Sequence, residues 1–182
     1  ETSTPIPTIP VQVIPPPTVA GGKLATTTGG VRFTLTSGAT VIVGPGTEVE
    51  LTQLPSGDTA RRTLLTLLKG RVLIAVTLAP GDSFRVQSPT QQAGEVVGSV
   101  MGVDYDPATG IFRVDCLEGR CRLGHISDAG LTDTLDLTGG QGARQTSNFP
   151  PGLADDARYD YWYALGADVL PTPTPSPTPD RQ

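Results

Sequence analysis

Few residues in this chain are of a type and spacing that could do chemistry. Cys116 and Cys121 bracket four residues in the run Asp-Cys-Leu-Glu-Gly-Arg-Cys-Arg. With Glu118-Gly119 as a two-residue hairpin turn, Cys116 faces Cys121 and the pair can close a structural disulfide. Free thiols are the other reading. A metal site would need two more soft ligands, and a thiol redox motif would carry two intervening residues rather than four. His125 is the single imidazole, set between Gly124 and Ile126 on an expected strand, with no nucleophile–base constellation around it. Asp104, Asp106 and Asp115 could approach a calcium ion, yet they do not make the twelve-residue loop motif, and Asp106–Gly110 reads as a hairpin loop. The Gly-rich run Gly139–Gly142 lacks a following helix to present to phosphate and reads as a turn. No catalytic residue, cofactor or metal is therefore expected, and the chain reads as non-enzymatic.

The elements that must position these residues are β-strands. Among 182 residues stand 22 Gly and 18 Pro, a content that opposes a helical bundle. Alternation is clean in Val31–Thr36, where Val31, Phe33 and Leu35 share one face. Further strands are expected at Thr40–Val43, Thr47–Leu51, Leu64–Leu68, Arg71–Leu78, Ser83–Gln87, Val96–Tyr105, Ile111–Leu117, Arg120–Ile126 and Thr134–Leu137. One short helix is expected within Asp155–Leu170, where Tyr159, Trp162, Tyr163 and Leu165 form a stripe that caps the core. Leu68-Lys-Gly-Arg-Val-Leu-Ile74 is echoed by Leu117-Glu-Gly-Arg-Cys-Arg-Leu123, which suggests two similar β layers in one body.

Charge and ends set the surroundings. A net charge of −5 and only two lysines, Lys23 and Lys69, argue against nucleic acid. No apolar run is long enough to span a bilayer. The disulfide reading and a first residue of Glu1 point to export after removal of a signal peptide or anchor, to the extracellular space or cell surface. Prolines gather at the two ends. The expected organisation is an N-terminal Pro/Thr/Gly-rich arm over 1–30, an all-β domain over 31–148, an aromatic helix over 149–170 and a Pro/Thr-rich tail over 171–182.

The body carries Ser37-Gly-Ala-Thr-Val-Ile-Val-Gly-Pro-Gly-Thr-Glu-Val-Glu-Leu51, then Leu68-Lys-Gly-Arg-Val72 and Phe84-Arg-Val-Gln-Ser-Pro89 with Ala93-Gly94. Val114-Asp-Cys-Leu-Glu-Gly119 and Leu137-Thr-Gly-Gly-Gln141 follow. In this order and spacing they resemble the FecR domain, from about Val31 to Ala143. The resemblance implies an all-β, twisted sandwich or solenoid-like extracytoplasmic domain, and a family whose best-known members relay an iron-uptake signal to a sigma factor. The two cysteines and Glu95-Val-Val-Gly-Ser99 depart from the family pattern.

Both arms suggest further roles. Thr172, Thr174, Ser176 and Thr178 alternate with prolines as in O-glycosylated stalks, over a stretch that favours polyproline II. In the N-terminal arm Ile9, Val11, Val13 and Ile14 are too aliphatic for an inert linker, and Val11–Ile14 is just long enough to add a strand to a sheet edge. Docking on its own body gives a monomer; docking on the next copy gives an open homopolymer. The main expectation is accordingly a structural subunit that assembles with copies of itself into a filament or surface layer. The alternatives are a FecR-like sensor or scaffold domain and a ligand- or carbohydrate-binding module.

Overall fold

Alternating β-branched and aliphatic residues dictate an almost wholly β molecule. The computed structural model describes residues 9–15, 22–35, 38–53, 62–76, 83–128, 130–146, 148–166 and 170. Its strands are β1 (Val11–Val13), β2 (Lys23–Ala25), β3 (Gly30–Thr34), β4 (Thr40–Val43), β5 (Glu48–Gln53) and β6 (Arg62–Val76). They continue with β7 (Ser83–Gln87), β8 (Gln92–Asp106), β9 (Ile111–Ser127), β10 (Gly130–Thr138), β11 (Gln141–Thr146) and β12 (Phe149–Asp156). One helix, α1 (Tyr159–Gly166), follows. The possible glycosylation positions Thr172, Thr174, Ser176 and Thr178 lie outside the described residues.

Three long strands, β6, β8 and β9, organise everything else, because each bends and contributes to two leaves of a folded-over sheet. The first half of β6 pairs with β5 and β7, the second half with β4 and β8. The inward face changes parity at each bend. Leu65 and Leu67 face the core before the bend in β6, Val72 and Ile74 after it; Val114 and Cys116 precede the bend in β9, Cys121 and Leu123 follow it. A residue with positive φ sits at both corners, Gly70 at 95° and Gly119 at 76°. A side chain at Gly70 would also strike Thr47, whose Oγ1 accepts the Arg71 amide at 3.1 Å. The sequence echo Leu68–Ile74 and Leu117–Leu123 thus marks two equivalent corners. Between the leaves lies the main core, with Phe33, Val41, Phe84, Met101, Val103 and Phe112 among its members.

The structure corrects the expected hairpin at Glu118-Gly119. Residues on both sides of that turn pair with β8, Cys116 with Met101 and Cys121 with Val96, so β9 runs on through the corner. Cys116 and Cys121 still meet, their sulfurs bonded across the bend with Cα atoms 5.7 Å apart. Leu64–Leu68 and Arg71–Leu78 likewise belong to one strand, as far as Val76. The turn expected over Gly139–Gly142 is confined to Gly139-Gly140, and Gln141 opens β11. The expected loop Asp106–Gly110 does close the β8–β9 hairpin, with Ala108 N donating to Asp106 Oδ1 at 2.9 Å and Gly110 at φ 73°.

The N-terminal arm docks on its own chain, the monomeric one of the two arrangements expected for Ile9, Val11, Val13 and Ile14. β1 lies parallel to β3, Val11 opposite Gly30 and Val13 opposite Arg32. The reason is local: the β3 edge is open, and an apolar groove beside α1 takes Ile9 and Val11. Ile14 packs on the main core, while Val13 remains 76% exposed.

Candidate functional site

The outer face of one leaf is where charge is concentrated and buried. Registers align Ile42, Leu73, Gly102, Asp115 and Gly142 in one row across β4, β6, β8, β9 and β11. The next row reads Arg71, Asp104, Arg113 and Arg144, alternating in sign over its first three members. Helix α1 lies over these rows. Its stripe of Trp162 and Leu165 packs on Ile42, Leu73, Val100 and Leu117 in a second, smaller core.

Asp115 is the centre of the site. It is 0% exposed, a position that a carboxylate tolerates only when its oxygens are fully engaged. Arg113 donates to Oδ1 from Nε at 3.1 Å and from Nη2 at 2.8 Å. Oδ2 accepts from Arg158 Nε at 3.0 Å and from the indole Nε1 of Trp162 at 2.8 Å. Arg158 Nη2 lies 2.9 Å from the same oxygen and 3.6 Å from Asp104 Oδ2, held by charge between two carboxylates. Asp104 also accepts from the Tyr161 hydroxyl at 2.8 Å. Burial first, and then the Asp104 charge, push the Tyr161 phenol up to about 12.

Arg71 closes the cluster from β6. Its Nη1 donates to the Tyr161 carbonyl at 3.0 Å, and its guanidinium carbon sits 4.0 Å from the Tyr161 ring centre. The Arg158 guanidinium lies 4.4 Å from the same ring, so two cations share one aromatic group. Two glycines make room for this. A Cβ on Gly102 would fall 2.2 Å from the Trp162 indole, and one on Gly142 would fall 2.5 Å from Arg113 Nη2 and 2.6 Å from Asp115 Oδ1. Gly102 and Gly142 are therefore the floor on which the indole and the ion pair rest.

Of the residues weighed from sequence, Asp104 and Asp115 do come together, but through the Arg158 guanidinium, while Asp106 stays at the β8–β9 loop. His125 sits apart, its Nε2 3.3 Å from the Thr146 carbonyl. Cys116 stands between Asp115 and Leu117 with its side chain on the opposite, inward face. Arg71, Arg113, Arg158, Gly102 and Gly142 escaped the sequence reading. The one available signal was the alternation Arg113-x-Asp115 inside the otherwise apolar run Ile111–Leu117.

This arrangement can clamp a helix to a sheet. It offers little for proton transfer or nucleophilic attack, since both oxygens of Asp115 are occupied by protein donors.

Two solved structures share the fold, both of a candidate anti-sigma factor from Parabacteroides distasonis. One matches with a TM-score of 0.62 and 17% identity over 80% of this chain and 65% of its own. The other has a TM-score of 0.58 and 16% identity over 78% of this chain and 64% of its own. This chain thus spans a little under two thirds of the length of each. No curated protein matches the sequence. The family model described as FecR protein matches residues 23–122, from β2 through the β9 corner, and the chain belongs to that family.

Proposed function

We propose that this chain is a non-enzymatic regulatory domain that works outside the cytoplasm, sensing or scaffolding a signal that another protein reads. The filament or surface-layer subunit expected from the arms is set aside, because family membership, together with the fold shared with a candidate anti-sigma factor, points to regulation instead. The observation that carries the reading is the family match over the sheet that holds Asp115. The geometry supports it in one respect: the most heavily buried charges are spent on fixing α1, not on a substrate cleft. Such a domain acts by presenting surfaces whose shape depends on what is docked there.

The test is genetic. Removing the codons for residues 23–146 in the native gene, with the flanking sequence kept in frame, should change the transcript levels of a defined gene set. Restoring the segment should reverse the change. Transcript profiles indistinguishable from the parent across growth conditions would refute a regulatory role.

A further inference from the structure

The N-terminal arm occupies its place as a guest strand. Only Val11–Val13 pair with β3, in parallel, and Pro10 and Pro15 bracket the strand so that pairing cannot extend. Outside the ladder the arm is held by Ile9 N to the Ala164 carbonyl at 2.8 Å, Ile14 N to the Arg32 carbonyl at 2.9 Å and Gly30 N to the Pro10 carbonyl at 2.9 Å.

Gly29 lets the arm's backbone approach closely, since a Cβ there would fall 3.1 Å from the Pro10 carbonyl oxygen; at Gly30 the tight neighbour is the Val43 carbonyl of β4, at 2.6 Å, with Val11 Cγ2 in ordinary contact at 3.4 Å. Beside the backbone track lies an apolar slot where Ile9 and Val11 meet Leu165, Ile42 and Leu73. On the other flank the arm leaves a recess of about 500 Å³ between Pro10–Gln12 and Ala25–Val31. Val13 contributes nothing to the slot, at 76% exposed. A backbone track, a slot for alternate β-branched side chains and unfilled space alongside are the parts of a strand-acceptor site.

We infer that this groove accepts an extended segment of a partner protein, one carrying β-branched aliphatics at the positions matching Ile9, Val11 and Ile14. Residues 9–14 are its resident occupant and competitor. The occupant class follows from the seat: main-chain donors and acceptors on the β3 edge demand an extended backbone, and the slot demands aliphatic side chains two residues apart. The inference goes beyond the regulatory reading and does not depend on it. A tethered arm competes at an effective concentration near the millimolar range, so a free segment binds well only after the arm is weakened.

The experiment uses the full chain and a fluorescein-labelled peptide of residues 5–17. Val11→Asp in the chain puts a charge in the slot and loosens the arm. The peptide should then bind saturably, at least about tenfold tighter than to the wild-type chain. A peptide N-methylated at the residue matching Ile14 loses the amide that reaches Arg32 and should not bind, nor should a peptide carrying Val11→Asp. Absence of binding to the variant chain, with native Trp162 emission, overturns the inference. Equal binding of the N-methylated peptide overturns it too, since contact is then not through a strand. Should Trp162 emission show the variant misfolded, the wild-type chain at saturating peptide decides. Faster hydrogen exchange at its own Ile14 amide supports displacement, and unchanged exchange refutes it.

Discussion

Replacing Asp115 with Asn is the most informative single perturbation of this protein. The change keeps the size of the side chain but removes the charge and turns one of two acceptors into a donor. The carboxylate is 0% exposed and receives hydrogen bonds from Arg113, Arg158 and Trp162. Asn can satisfy one oxygen's worth of these. Whichever way the amide turns, its NH₂ faces either Arg113 Nη2 or the Trp162 indole and Arg158. The Arg113 side chain is only 11% exposed; it keeps its Nη2 bond to the Asp156 carbonyl at 3.3 Å but loses the carboxylate charge where little water can replace it. Breaking one side of a buried ion pair costs about 3–5 kcal/mol, far above the ~0–1 kcal/mol of an exposed pair. For a chain of this size that corresponds to a fall in Tm of about 6–20 °C, at ~2–4 °C per kcal/mol. The assay is urea unfolding followed by tryptophan emission. Trp162 is the sole tryptophan, fully buried and bonded to the mutated residue, so the probe reports the site itself. The expected result is a lower midpoint with an unchanged slope. A loss below about 1 kcal/mol would show that the cluster is not what fixes the helix, and the argument built on Asp115 would fall.

Three further outcomes follow from the same geometry. Gly102→Ala places a methyl where the Trp162 indole lies, 2.2 Å from Cε2, and should cost about 1–3 kcal/mol in the same unfolding assay, with a shifted emission maximum; a neutral result would disprove the close packing. Cys116 and Cys121 should resist alkylation in the native protein and the intact mass should be two hydrogens below the dithiol, with reduction costing about 2 kcal/mol for so short a loop; two alkylated native thiols would contradict the bonded pair. Burial, followed by Asp104, raises the Tyr161 phenol from 10.0 to about 12, and Tyr159 and Tyr163 are raised as well, mainly by burial. Between those values the unfolded chain loses its proton first, so unfolding free energy falls as pH rises, the full contribution being present below pH 10 and gone above 12. Urea midpoints flat from pH 9.5 to 11.5, or native absorbance titration of all tyrosines near 10, would refute this.

How far the sequence carries depends on whether the deciding information is local. Thr40–Val43 and Ser83–Gln87 are bounded by turn residues on both sides, and the structure matches both strands end to end. Gly119 was legible as a turn position and Gly70 lay in the break between two expected strands, but a corner and a hairpin turn use the same left-handed φ. What separates them is that both flanks of β9 pair with β8, a non-local fact. Strand β12 was obscured by Pro150-Pro151, yet among the described residues it pairs with β11 alone, and an edge strand tolerates missing amides. The cluster was nearly invisible for the same reason. Asp115 and Trp162 are 47 residues apart, and Gly102 means nothing until an indole is known to lie on it.

The burial of so much charge under one short helix has a structural logic. An eight-residue segment does not hold a helix alone, so α1 exists by virtue of the face it covers. The apolar part of that face, Ile42, Leu73, Val100 and Leu117, would accept aromatic side chains in more than one register. Asp115 does not, because only one placement brings Arg158 and Trp162 to Oδ2 while Tyr161 reaches Asp104. That register also fixes the Ala164 carbonyl, which accepts the Ile9 amide of the arm. A slide of α1 by one residue moves that carbonyl by about 1.5 Å, enough to break the bond. The contacts therefore run without a gap from the β9 corner through Asp115 and Trp162 to the seat of the N-terminal strand. The segment that a partner would displace is thus held by the same helix that the buried charges place.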